Sequence, residues 1–300
     1  MGKKDIIILS IETTCDDTAI AICKYSNDSF SVLSNIISSQ IKDHNPFGGV
    51  VPELASREHI KNIIPVLDKA ISEANIKLND LDYIALTNKG GGLVGSIIVG
   101  IETAKTLSYL LNIPIISVNH IRGHVLVSMI KNIDNNKYEV IEPEFPMMTL
   151  TVSGGHTQII LIKNFIEWEV VGQTLDDAAG ECYDKVSKIL NLGYPGGPII
   201  SKMATTGDKT KIKFPRPMIG SGDFNFSFSG LKTAVLYETE KIKKENLKIS
   251  VDDVCASAQD AINDILTRKS LKAIEKYSPK IFILAGGVSA NRDLRDILKN

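Results

Sequence analysis

At 300 residues the chain is long enough for two units, each with its own core. Apolar residues make up 43% and aromatics only 6%, which predicts aliphatic cores of Ile, Leu and Val, and a net charge of −1 excludes a globally basic nucleic-acid binder though not a local basic surface. The four cysteines, Cys15, Cys23, Cys182 and Cys255, show no C-x-x-C or zinc-ribbon spacing and suit a reducing compartment.

No apolar run approaches about 18 residues. The first strand starts almost at Met1, leaving no room for a signal or transit peptide. Together these point to a cytoplasmic protein without membrane contact. Residues 6–11 read as a buried strand, followed by the turn Glu12-Thr13-Thr14-Cys15-Asp16-Asp17-Thr18 and a second strand at 19–23. Residues 30–38 make a third strand. Gly48-Gly49 then break the chain before a helix that Pro52 opens and that runs to about Ala74, with Pro65 expected to break or kink it.

Strand 83–87 runs into Gly90-Gly91-Gly92-Leu93-Val94-Gly95 and a helix reaching about Leu111. This run formally matches G-x-G-x-x-G. A dinucleotide site, however, needs an acidic residue at the end of the next strand to hold the ribose, and strand 115–118 is followed by Asn119 and His120. Asn119-His120-Ile121-Arg122-Gly123-His124 enters a helix expected to run to about Ile133. Histidines four apart share a helix face and can converge on one metal ion, and the end of a strand is where cleft residues gather in α/β folds. Two imidazoles still need a third protein ligand, and no H-E-x-x-H is present to make a zinc protease. Residues 134–146 are polar and irregular in pattern, which sets the lobe boundary at 1–143 and 144–300.

The second half opens on residues 147–150, Thr151-Val152-Ser153-Gly154-Gly155-His156-Thr157 and residues 159–162, the pattern of a tight hairpin. Gly154 and Gly155 are expected to take φ > 0 and turn their N–H groups toward an anion. Alone this would pass as an ordinary hairpin. The same order of apolar strand, small or polar turn, threonine and apolar strand surrounds Thr18, so the motif is one of a pair. A duplicated strand-turn-strand unit implies two similar lobes, each offering a turn to the cleft between them. That is the arrangement of the actin, hexokinase and Hsp70 type (ASKHA) of α/β nucleotide-binding fold.

Strand 168–171 comes next. Leu175-Asp176-Asp177-Ala178-Ala179-Gly180-Glu181-Cys182-Tyr183-Asp184-Lys185 then starts a helix whose acids suit its positive end, and Tyr194-Pro195-Gly196-Gly197-Pro198 turns into another. Lys209, Lys211, Lys213 and Arg216 form one basic cluster, and Lys241, Lys243 and Lys244 a second. Phe226-Ser227-Phe228-Ser229-Gly230-Leu231-Lys232-Thr233 leads into a helix to about Lys244, and a long amphipathic helix spans 252–277. After strand 281–284, Ala285-Gly286-Gly287-Val288-Ser289-Ala290-Asn291 makes a second backbone cradle, with Asn291 placed to read a base or ribose edge.

These stretches, in this order and over essentially the whole chain, closely resemble the TsaD (YgjD, Gcp) family, which makes threonylcarbamoyladenosine in tRNA. The resemblance rests on IETTCDDT at 11–18, GGVVPELASREH at 48–59, His120 to His124, VSGGHTQ at 152–158, DDAAGECYDK at 176–185, YPGGP at 194–198, FSFSGLKT at 226–233 and AGGVSAN at 285–291. It implies transfer of the threonylcarbamoyl group of threonylcarbamoyl-AMP to N6 of the adenosine just 3′ of the anticodon, with TsaB-like and TsaE-like proteins as partners. It also implies one divalent metal ion, iron or zinc, on His120 and His124. Thr151, Val152, Ser153, Gly154 and Gly155 would lie on the phosphate side, Asp184, Gly197 and Asn291 at the nucleoside, and Asp16 would be the acid nearest the chemistry. Gly91 stands where the family usually has proline, Lys89 where a small residue is usual, and Arg122 where an acidic or neutral one is common. The family's further metal ligand, in a Thr-Asp-Asn motif, is expected beyond Asn300, so the metal site is expected to be incomplete here. A small-molecule kinase of the same fold and a non-catalytic TsaB-like scaffold are the competing readings.

Overall fold

Residues 5–26 and 29–299 are described by the computed structural model, a mixed α/β chain with two sheets that divides into the units Met1–Glu142 and Pro143–Asn300. The first unit runs β1 (Ile6–Glu12), β2 (Asp17–Ser26), β3 (Ser29–Ser39), α1 (Ile41–His44), α2 (Pro52–Ala74), β4 (Tyr83–Lys89), α3 (Val94–Leu111), β5 (Ile115–Asn119), α4 (His120–Leu126), β6 (Ile130–Asp134) and β7 (Lys137–Val140). Its sheet has the order β5-β4-β1-β2-β3-β7-β6. β1 to β3 form an antiparallel meander, α2 returns the chain to β4, which lies parallel beside β1, and the crossover helix α3 leads from β4 to its parallel neighbour β5. Leu9, Ile11, Ile20 and Ile22 pack with Ile63, Val66 and Leu67 of α2, the helical spacing that the sequence pattern of α2 supplies.

The second unit runs β8 (Met147–Val152), β9 (Thr157–Ile162), β10 (Trp168–Gln173), α5 (Ala179–Ile189), α6 (Gly196–Ala204), α7 (Ser229–Glu245), α8 (Val251–Tyr277), β11 (Ile281–Ala285) and α9 (Arg292–Lys299). Its sheet, β10-β9-β8-β11, repeats the order β3-β2-β1-β4: an antiparallel meander with a parallel strand laid against its first member. β8 is buried at all six positions, which explains its unbroken run without alternation.

Helix α8 starts on a capping box: Ser250 Oγ accepts from Asp253 N at 3.1 Å, and Asp253 Oδ2 accepts from Ser250 N at 3.0 Å. The irregular segment 205–228 is tied along it. Thr206 Oγ1 donates to Asp252 Oδ2 at 2.7 Å, Lys209 pairs with Asp260 at 3.0 Å, and Arg216 bonds Asp260 at 2.6 Å and Asp264 at 3.1 Å. Further along, Lys269 Nζ donates to Ser221 Oγ at 2.6 Å and Lys272 Nζ to Ser221 O at 3.0 Å. Lys209 and Arg216 of the basic cluster at 209–216 are therefore engaged with α8 carboxylates, while Lys211 pairs with Asp208 at 3.9 Å within the segment itself and Lys213 is exposed.

Three expectations are corrected. Helix α2 runs unbroken through Pro65, because that residue lies on the exposed face and its missing N–H would have bonded the carbonyl of Lys61, which is also exposed and open to water. Helix α4 stops at Leu126, where a 3₁₀ turn, Val127–Met129, leads into β6. The polar stretch after Ile133 is part of a hairpin, since Asn135 (φ 28°) and Asn136 (φ 64°) supply the two left-handed residues of a tight turn between β6 and β7. In addition, α3 is long and apolar enough by length and composition alone to cross a membrane; it carries the Glu102–Lys105 pair and packs on α2 and β4.

Candidate functional site

The parallel strands β1, β4 and β5 end on the same edge of the first sheet. Glu12 closes β1, Gly90 to Gly92 follow β4, and His120 follows β5. Asn119 caps α4 by accepting from Arg122 N at 3.1 Å. On α4 the Nε2 atoms of His120 and His124 stand 3.1 Å apart, their rings edge to face. Behind the pair, His120 Nδ1 lies 3.3 Å from Glu12 Oε2 and 3.2 Å from Thr14 Oγ1, and Glu12 Oε1 accepts from Thr14 N at 2.6 Å. Burial works against the charge on Glu12, but the bonds from His120 and Thr14 outweigh it and hold this carboxyl below the usual range.

This donor set fits a metal ion. Two histidine nitrogens bonded to one ion at about 2.0–2.1 Å stand about 3 Å apart, as the two Nε2 atoms do. Among the described residues no group of three His, Cys, Asp or Glu gathers as a cage, so the pair supplies two donors. Glu12 faces the Nδ1 side and is not a third.

The turn that carries Asp16 is held by three consecutive carbonyls. Thr14 O accepts from Leu93 N at 2.7 Å, Cys15 O from His59 Nε2 at 3.0 Å, and Asp16 O from Gln40 N at 2.9 Å. Because His59 Nε2 must donate to that carbonyl, its Nδ1 accepts from Thr18 Oγ1 at 2.7 Å. Burial pushes the His59 pKa down, which keeps this ring neutral. The glycines after β4 take φ of 90°, 103° and 109°. A Cβ on Gly92 would meet Thr14 O at 2.7 Å, so the loop approaches the turn only without a side chain, and Gly91 adopts a φ closed to the proline usual there.

In the second unit the β8–β9 hairpin forms as expected, with Ser153 N donating to His156 O at 2.8 Å. Gly154 and Gly155 do not take the left-handed conformation; the left-handed glycine beside this hairpin is Gly286, at φ 86°. Both hairpin glycines are exposed, with open space where a Cβ would stand. The glycines required by close approach are others: a Cβ on Gly180 would meet Ser153 O at 2.5 Å, and one on Gly286 would meet Val152 O at 2.4 Å. Thr151 and Val152 are fully buried in β8, so the accessible part of the predicted phosphate stretch is Ser153 to Gly155.

Asp184 accepts from Gly196 N at 2.7 Å and so shapes the turn that presents Gly197, itself open to substitution by space. Asn291 is buried, and its amide is committed inward: Nδ2 donates to Gln259 Oε1 at 2.8 Å and Oδ1 accepts from Leu294 N at 3.0 Å. This corrects the expectation that its side chain stands ready to read a base edge; here it caps α9 within a polar network that includes Tyr183 and Asn263. Sequence reasoning assigned no role to Asp177, which pairs with Lys185 at 2.7 Å and Lys232 at 3.1 Å and ties α5 to α7. Nor did it see Glu12 as the partner of His120.

The family model described as TsaD, tRNA N6-adenosine threonylcarbamoyltransferase, matches residues 31–300. A protein of that description from Clostridioides difficile (strain 630) is 47% identical over 291 residues, 97% of this chain and 82% of the relative. One from Thermosipho africanus (strain TCF52B) is 49% identical over 290 residues, 97% of this chain and 83% of the relative. Among solved structures, HypF of T. kodakarensis superposes with a TM-score of 0.61 at 13% identity, covering 98% of this chain and 43% of that one, a likeness of fold.

Proposed function

The chain belongs to the TsaD family of tRNA N6-adenosine threonylcarbamoyltransferases, and we propose that it moves the threonylcarbamoyl group of threonylcarbamoyl-AMP onto N6 of the adenosine 3′ of the anticodon in tRNAs reading codons that begin with A. The observation that favours a working enzyme over a scaffold or a small-molecule kinase is the His120–His124 pair, with Nε2 atoms 3.1 Å apart and a carboxylate behind one of them. The repeated strand order and the likeness to HypF support a two-lobed ASKHA fold.

A carbamoyl phosphate anhydride is already activated, so positioning and charge neutralisation matter more than a covalent nucleophile. The adenosine N6 attacks the carbamoyl carbon, the new C–N bond forms, the C–O bond to phosphate breaks and AMP leaves with the electron pair. Asp16, in its clamped turn, takes the proton from N6. Bound at His120 and His124, a divalent ion, iron or zinc, would supply positive charge to the acyl-phosphate oxygens. Ser153, Gly154 and Gly155 offer exposed backbone to the phosphate, with Thr151 and Val152 as their rigid stem. Asp184 and Gly197 shape the nucleoside side, and Asn291 fixes the turn behind it.

TsaB-like and TsaE-like proteins are the partners proposed, in the cytoplasm. Exposed Lys213, Lys243 and Lys244 are the candidate tRNA contacts. Nucleoside mass spectrometry of tRNA from cells depleted of this protein tests the function: threonylcarbamoyladenosine should fall, and an unchanged level would overturn it.

A further inference from the structure

We infer that Glu12 is the positioning residue of the histidine pair: it fixes His120 in the tautomer that presents Nε2 and ties that ring to the turn carrying Asp16. This rests on the metal reading above and deepens it. A neutral imidazole carries one proton, and two groups compete to say where it sits. Thr14 Oγ1, 3.2 Å from Nδ1, can either donate or accept. An ionised carboxylate only accepts, so Glu12 Oε2, 3.3 Å from the same nitrogen, draws the proton to Nδ1 and leaves the Nε2 lone pair facing His124. Without Glu12 the threonine hydroxyl is free to donate to Nδ1, which puts the proton on Nε2, where a metal would bind.

The second oxygen extends the effect. Glu12 Oε1 accepts from Thr14 N at 2.6 Å, and Thr14 O accepts from Leu93 N at 2.7 Å. One carboxylate therefore links the ends of β1 and β5 and, through Thr14, the glycine loop after β4. Any shift of His120 on taking up a cation is transmitted to Thr14, two positions before Asp16.

The test is zinc affinity by competition with a chromophoric chelator, together with the ¹⁵N shifts of the His120 ring in metal-free protein, for the parent chain, Glu12→Gln, Glu12→Ala and His124→Ala. Glu12→Ala should weaken zinc binding by about 10–100-fold and move the ring proton to Nε2. Glu12→Gln keeps an acceptor without the charge and should fall between, and it carries the test if the alanine variant does not fold. Zinc affinity within about twofold of the parent, or an unchanged tautomer, in both Glu12 variants while His124→Ala abolishes binding overturns the inference and leaves the metal reading standing. Unchanged zinc binding in His124→Ala overturns the metal reading and the inference with it.

Discussion

Thr18 and Thr157 hold the same place in two hairpins built alike, and each binds the first long helix that follows its own meander. Thr18 Oγ1 meets His59 Nδ1 of α2 at 2.7 Å, while Thr157 Oγ1 accepts from Ala179 N at the start of α5 at 2.9 Å. Both threonines are fully buried. Replacing either with valine keeps the shape and strands a buried polar partner. Each variant should lose about 1–3 kcal/mol of stability in urea unfolding. A loss below about 0.5 kcal/mol would mean that the hydroxyl is not what joins strand to helix.

The glycines in and beside the β8–β9 hairpin divide sharply. Gly154→Ala should leave the melting temperature nearly unchanged, because a Cβ there meets open space. Gly180→Ala and Gly286→Ala push a methyl into Ser153 O and Val152 O, and Gly286 also holds φ 86°. Each should cost about 1–3 kcal/mol. If all three variants melted alike, the close approach of these glycines to the end of β8 would not constrain the fold.

Acid should weaken the protein in two stages. His59 has a lowered pKa because burial disfavours its charged form, so the unfolded chain takes up that proton first. Its contribution is complete above the ordinary histidine value of about 6.5 and is lost as the pH falls toward the depressed folded value. At Asp177, burial opposes the charge but the bonds from Lys185 and Lys232 outweigh it and depress the pKa. Its contribution is complete above about pH 3.9 and is lost below that, as the pH falls through the folded value. Urea unfolding between about pH 7 and pH 5 should show a slope that flattens in His59→Gln; an equal slope in both proteins would assign it elsewhere.

Arg216 belongs to the scaffold in this structure. Its guanidinium binds Asp260, Asp264 and Phe214 O. Arg216→Met should lower stability by about 1–3 kcal/mol while leaving tRNA affinity, measured at two salt concentrations, unchanged. A drop in affinity and in its salt dependence without loss of stability would return this residue to the nucleic-acid surface.

Much of this was legible in the sequence wherever the code is local. The helical pattern through Leu54, His59, Ile60 and Ile63 announced α2, and the strand pattern around residues 151–157 announced the hairpin. Residues four apart on one helix brought His120 and His124 together. Pro65 misled because its effect depends on which face it occupies, something fixed by packing. The Asn135-Asn136 turn was read as irregular because its meaning lies in φ. The contact of Glu12 with His120 was not legible for a different reason: the two lie far apart in sequence, and only the order β5-β4-β1 carries both to one edge.

The charges along α8 run acidic from Asp252 to Asp264 and basic at Lys269 and Lys272, and the segment 205–228 answers with the opposite sense. That layout gives an irregular strap a direction. Slipping it one helical turn toward the C-terminus would bring Arg216 against Arg268, and reversing it would set lysines against lysines. Backbone pairing holds the segment at Phe226, beside Thr174, and along α8 side-chain charge adds to the buried Ile212 and Phe214 in the task that hydrogen-bond register performs in a sheet. It is an address written along a helix, legible only when read from one end.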